Sequence, residues 1–82
     1  MTTITYPIII HQNDPDETGY WVSVPDIPQA SAQGDTLKEA TRMIKRSIEL
    51  ALANKIDYPP PTKLTDIKTA NGDILQLVTV YF

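Results

Sequence analysis

The feature that most constrains this chain is the placement of its prolines, glycines and caps between residues 19 and 39. Gly19-Tyr20-Trp21-Val22-Ser23-Val24 is a β-branched and aromatic run, and Pro25 and Pro28 stop it. Val24-Pro25-Asp26-Ile27-Pro28 cannot prolong a strand, because proline offers no N–H to the ladder. Gln29-Ala30-Ser31-Ala32-Gln33 then alternates small and polar residues up to Gly34. That suits a short strand with Ala30 and Ala32 turned inward under a helix. Thr36-Leu37-Lys38-Glu39 opens the helix. The Thr36 hydroxyl can accept from the Glu39 N–H while the Glu39 carboxylate reaches back to the Thr36 N–H, which is a capping box.

The flanking segments fit around this stretch. Residues 3–11 place Ile4, Tyr6, Ile8 and Ile10 on one face at period two, with Ile9 on the other. Pro7 interrupts this strand, so its missing donor must meet an unpaired position. A polar loop with Asp14-Pro15-Asp16 joins the strand to Gly19, as in a hairpin. After Thr36, the residues Leu37, Ala40, Ile44, Ile48, Ala51 and Leu52 form one apolar helical stripe, with the helix ending near Asn54. Tyr58-Pro59-Pro60-Pro61 cannot continue it and reads as a polyproline segment carrying the chain back across the sheet. After an Asn71-Gly72-Asp73 turn, the last strand is apolar on both faces, with Ile74, Val78, Val80 and Phe82 on one and Leu75, Leu77 and Tyr81 on the other. Gly19, Gly34 and Gly72 all read as turn residues.

The predicted order is β-β-β-α-β, an α+β fold in which one sheet is covered by one helix, as a single domain over residues 1–82. The first three strands are predicted to form an antiparallel meander. The fourth is expected to return beside the first and parallel to it, through a right-handed crossover. A strand apolar on both faces must be covered twice, and one helix covers one face. Leu75, Leu77, Thr79 and Tyr81 are therefore predicted to meet another copy, in a dimer or tetramer. A domain of 82 residues without cysteine has little else to stabilise it.

Charge and residue types narrow the chemistry. The net charge is −3, and it is unevenly spread. Residues 1–37 hold five acids (Asp14, Asp16, Glu17, Asp26, Asp35) and no Lys or Arg. The helix carries Lys38, Arg42, Lys45 and Arg46. Tyr6, Tyr20 and Trp21 could stack on bases, but a nucleic-acid platform needs interleaved cations, and this half has none. The acidic front suits a basic protein partner instead, with Asp14, Asp16, Glu17, Tyr20 and Trp21 as candidate contacts. The basic helix flank could touch phosphates, yet a solvated face is the simpler reading. Asp14, Asp16 and Glu17 lack the further ligands and the glycine of a calcium loop, so no metal is expected. His11 is the sole histidine. Nothing marks a nearby nucleophile for it to activate, so a structural role is predicted. No catalytic residue, cofactor or enzyme activity is expected. No run approaches the roughly 18 apolar residues of a membrane span. No basic residue precedes an apolar core near Met1, so a cytoplasmic protein is expected.

The series Tyr6-Pro7, Gly19-Tyr20-Trp21-Val22, Val24-Pro25-Asp26-Ile27-Pro28 and Gln33-Gly34-Asp35-Thr36-Leu37 resembles the HicB family of antitoxins. Gln29 stands where that family usually has glycine. The resemblance implies a partial RNase H-like fold and an antitoxin that binds and masks a small, basic, mRNA-cleaving toxin of the HicA type. Many members carry a C-terminal DNA-binding domain. This chain ends soon after its fourth strand, so direct DNA binding is not expected of it. The alternative is an orphan that forms homo-oligomers on the same fold without a toxin.

Overall fold

Alternation along the chain becomes alternation between the faces of a sheet. The computed structural model describes residues 2–12, 19–53, 58–70 and 72–81. Its elements are β1 (Thr3–Gln12), β2 (Tyr20–Ser23), β3 (Ser31–Gly34), α1 (Leu37–Leu52) and β4 (Ile74–Tyr81), with a 3-10 turn at Leu64–Asp66. The architecture is α+β, and the strand order is β3-β2-β1-β4. On the helix side, Tyr6, Ile8 and Ile10 of β1, Val22 of β2 and Val78 and Val80 of β4 meet Ala40, Ile44, Ile48 and Leu52 of α1 in one core. Val24, Ile27 and Ala30 close its end. Leu37, expected in the buried stripe, is 40% exposed because it opens the helix.

The predicted meander is present, but β4 runs antiparallel to β1, from Ile74 beside Ile10 to Tyr81 beside Thr3. The parallel expectation assumed that the chain enters β4 straight from the end of α1. Instead it first travels back along the sheet, and four bonds mark its path. The Tyr6 hydroxyl donates to the Pro59 carbonyl at 2.7 Å. Asp26 accepts from the Thr62 N–H at 2.9 Å and from the Thr62 hydroxyl at 2.5 Å. Asp73 reaches His11 at the far end of β1. The proline-led segment thus does carry the chain back, as expected, and that extra pass reverses the last strand.

Pro7 sits in an inner strand without breaking it. Tyr81 gives its backbone N–H to Glu49 Oε2 at 3.3 Å rather than to Thr3. Antiparallel rungs alternate, so Thr3, Thr5 and Pro7 also turn their backbone nitrogens away from β4. Pro7 therefore faces the β2 side, where pairing begins only at Ile9. The missing N–H meets no rung.

Gly34 is not the turn predicted for it. It is the last residue of β3 and pairs with Tyr20. A Cβ there would lie 2.5 Å from the Ala40 backbone nitrogen, so glycine is needed for close helix–strand approach rather than for a turn. The residues before β3 form turns, with the Ile27 N–H on the Val24 carbonyl and the Ala30 N–H on the Ile27 carbonyl. This shifts β3 two residues past its predicted start. Of the capping box, the Glu39 N–H to Thr36 Oγ1 bond is made at 3.0 Å. Among the described residues the reverse bond from the Glu39 carboxylate is absent.

Candidate partner-binding surface

The face opposite α1 carries the odd-numbered residues of β1, β2, β3 and β4. Thr5 and Thr79 share a hydrogen bond there at 2.8 Å, which fixes the pairing of that face. Beside them Pro7 pairs with Leu77 and Ile9 with Leu75. Leu77 and Tyr81 are 49% and 48% exposed. The predicted second apolar face of β4 therefore exists, and Leu75, Leu77, Thr79 and Tyr81 line it. Phe82 lies outside the described residues.

The sequence candidates divide in space. Tyr20 turns toward the helix side and packs against the core, while Trp21 stands on the open face at 42% exposure. Adjacent strand residues must point to opposite faces, so these two cannot serve one contact patch together. Asp14, Asp16 and Glu17 lie outside the described residues.

Trp21 is held in place by a network that the sequence did not announce. Its ring stacks on His11 with centroids 3.7 Å apart and planes 15° from parallel. His11 and Trp21 face each other across β1 and β2. His11 Nδ1 lies 3.0 Å from Asp73 Oδ1, and His11 Nε2 lies 2.9 Å from Ser23 Oγ. The other Asp73 oxygen accepts from the Ala70 N–H at 3.0 Å. With Nδ1–H donating to Asp73, Nε2 accepts from the Ser23 hydroxyl. The histidine thereby ties β2 to the turn that enters β4, and no polar atom of its ring is left over. Only the two-residue spacing of Trp21 and Ser23 hinted at this; Asp73 is 62 residues from His11.

The connectivity Asp73–His11–Ser23 is also that of a nucleophilic triad. Its setting differs in two ways. Ser23 lies in a strand opposite Ile9, and the alternation of rungs commits its own N–H to that partner, so that N–H cannot cradle an oxyanion. One face of the imidazole is covered by Trp21. The arrangement suits a rigid aromatic anchor, preorganised by stacking and two hydrogen bonds.

Near Tyr6, burial first, and then the neighbouring Asp26 and Tyr58, push its phenol above the ordinary value of 10.0. Its protonated hydroxyl anchors the returning segment through Pro59. Among the described residues, no helix is long and apolar enough to cross a membrane.

Comparison with known proteins matches the chain to a family. The sequence model described as HicB_like antitoxin of bacterial toxin-antitoxin system covers residues 6–80. The UPF0150 protein ssl0738 of Synechocystis sp. is 38% identical over 42 residues, and the match takes in 51% of this chain and 58% of that protein. The chain thus spans less than two thirds of that curated relative. A chain in the structure titled "Toxin-Antitoxin complex from Streptococcus pneumoniae" superposes with a TM-score of 0.82 at 20% identity, over 98% of this chain and 70% of that one. The N-terminal domain of the Burkholderia pseudomallei antitoxin HicB superposes with a TM-score of 0.71 at 25% identity, over 96% of this chain and all of that domain (100%). The fold, the motif series and the matched span agree, and the chain belongs to the HicB-like antitoxin family.

Proposed function

We propose that this chain neutralises a HicA-type, mRNA-cleaving toxin by binding it and covering its active surface. The observation that carries this reading is the family match over residues 6–80. Physical chemistry supports it. A toxin that grips RNA needs a basic surface, and residues 1–37 of this chain contain no Lys or Arg. Asp14, Asp16 and Glu17 supply the charge that steers such a partner. Trp21, exposed but pinned by His11, supplies the aromatic anchor that dominates many interfaces. Tyr20 contributes by supporting the strand from the core side. The role is one of masking, not of chemistry, and its place is the cytoplasm with the toxin. Leu75, Leu77, Thr79 and Tyr81 are the proposed contact between copies across the open face.

Co-expression with a HicA-type toxin tests the reading. The expected outcome is a stable complex and restored growth. Trp21→Ala should weaken the complex by at least about tenfold, as for an interface anchor. Continued toxicity in the presence of folded chain, with no complex on purification, would overturn the proposal. A chain that then still self-associates is the orphan module.

A further inference from the structure

We infer that β3 is an assembly edge for a second copy of this chain, joined by antiparallel β3–β3 pairing about a two-fold axis at Ala32. This contact is separate from the Leu75–Tyr81 side of the open face, and of the proposed toxin contacts it touches Trp21. Carrying the alternation of rungs inward from Tyr81, Val22 pairs with Ala32 and Tyr20 with Gly34 through hydrogen bonds, so Ser31 and Gln33 turn their backbone groups outward. Among the described residues nothing pairs with them. The strand, Ser31-Ala32-Gln33-Gly34, has neither charge nor proline, the devices that usually guard an open edge. Beside it lies a groove of about 620 Å³, lined by Trp21, Ser31, Ala32, Gln33 and Met43. Space of that size along an unpaired strand suits another strand.

The occupant follows from the flank of α1. Glu39, Met43 and Arg46 are spaced i, i+4 and i+7, so they form one stripe of the helix, and Met43 reaches down to line the groove. All three are exposed. Among the described residues neither Glu39 nor Arg46 has a partner of opposite charge within salt-bridge distance. Turning the stripe end for end about Met43 sets Glu39 against Arg46 of the second copy, and Arg46 against its Glu39. Only a two-fold partner makes both contacts at once, because an isologous interface must be complementary to itself. At the axis the two Ala32 residues are small enough to let the Met43 side chains meet above the joined strands.

The mass of the purified chain in solution tests this, by light scattering across a range of concentrations. The expected species is a multiple of the 9.2 kDa chain. Glu39→Arg and Arg46→Glu should each halve that mass, and the double swap should restore it. Gln33→Pro, which removes an outward N–H, should also halve it while circular dichroism stays native. Met43→Cys, in a chain without cysteine, should form a covalent pair on oxidation. A wild-type chain at single-chain mass throughout would overturn the inference. So would an assembly untouched by the folded single swaps, or one taken all the way to single-chain mass by Leu77→Asp alone.

Discussion

β4 and β3 are both edge strands, yet α1 closes one and leaves the other bare. At β4, Glu49 accepts the outward Tyr81 N–H and Lys45 sits 4.8 Å over the Tyr81 ring. At β3 the helix packs closely over the strand, through Gly34 and Ala40, but among the described residues no side chain of α1 hydrogen-bonds its outer rungs. The difference follows from the helical wheel. Lys45 and Glu49 are four residues apart and face β4, whereas Met43 faces β3 and carries no charge. One helix can therefore guard one edge and offer the other.

The comparison can be broken most strongly at Gly34. Gly34→Ala forces a methyl toward the Ala40 backbone, and overpacking of this kind costs about 1–3 kcal/mol. The expected result is a lower denaturant midpoint, with amide exchange rising at β3 before β4. Equal loss of protection at both edges would mean that close helix contact is not what holds β3.

A smaller effect is expected at Tyr6, where β1 extends past the end of β2 and the returning segment takes over. Tyr6→Phe removes the bond to Pro59, worth about 1 kcal/mol. The pH dependence is more telling. The folded chain holds the neutral phenol, with its value raised above 10.0. Its contribution is fully present below the ordinary value, and is lost as pH climbs from there through the raised one. Wild type should lose stability in that alkaline window faster than Tyr6→Phe. Parallel curves from thermal melts would contradict it.

The smallest effect sharpens the contrast between the edges. Glu49→Ala should reduce stability by only about 0.2–1 kcal/mol, as for a partly exposed polar contact. Exchange of the Tyr81 amide should nevertheless quicken several-fold. An unchanged Tyr81 amide would show that the edge is protected by something other than Glu49.

Much of this contrast was legible in the sequence, because it rests on local rules. The Thr36 cap, the Ala40–Ile44–Ile48–Leu52 stripe and the double apolar face of β4 follow from spacing alone. The order β-β-β-α-β, the meander and the place of β4 beside β1 were also readable. The direction of β4 was not. It depends on Asp26 holding Thr62 and on Tyr6 holding Pro59, contacts 36 and 53 residues apart along the chain. The same limit hid Asp73 behind His11. Gly34 was misread because a turn and a close approach call for the same residue, and only the position of Ala40 separates them. At the candidate surface, Trp21 and Leu77 were found by alternation, while the pinning of Trp21 by stacking came only with the register of β1 on β2.

The reversal of β4 has a mechanical consequence. Thr3 and Tyr81 are neighbours on one rung, so tension applied through the two ends of the chain would load that rung first. The β1–β4 ladder would open like a zipper, one rung after another, from Thr3–Tyr81 toward Ile10–Ile74. A parallel last strand would have shared the same load among all its rungs in shear. This fold is thus built to yield gradually when drawn from its ends, and Val80 and Val78 leave the core under α1 within the first rungs.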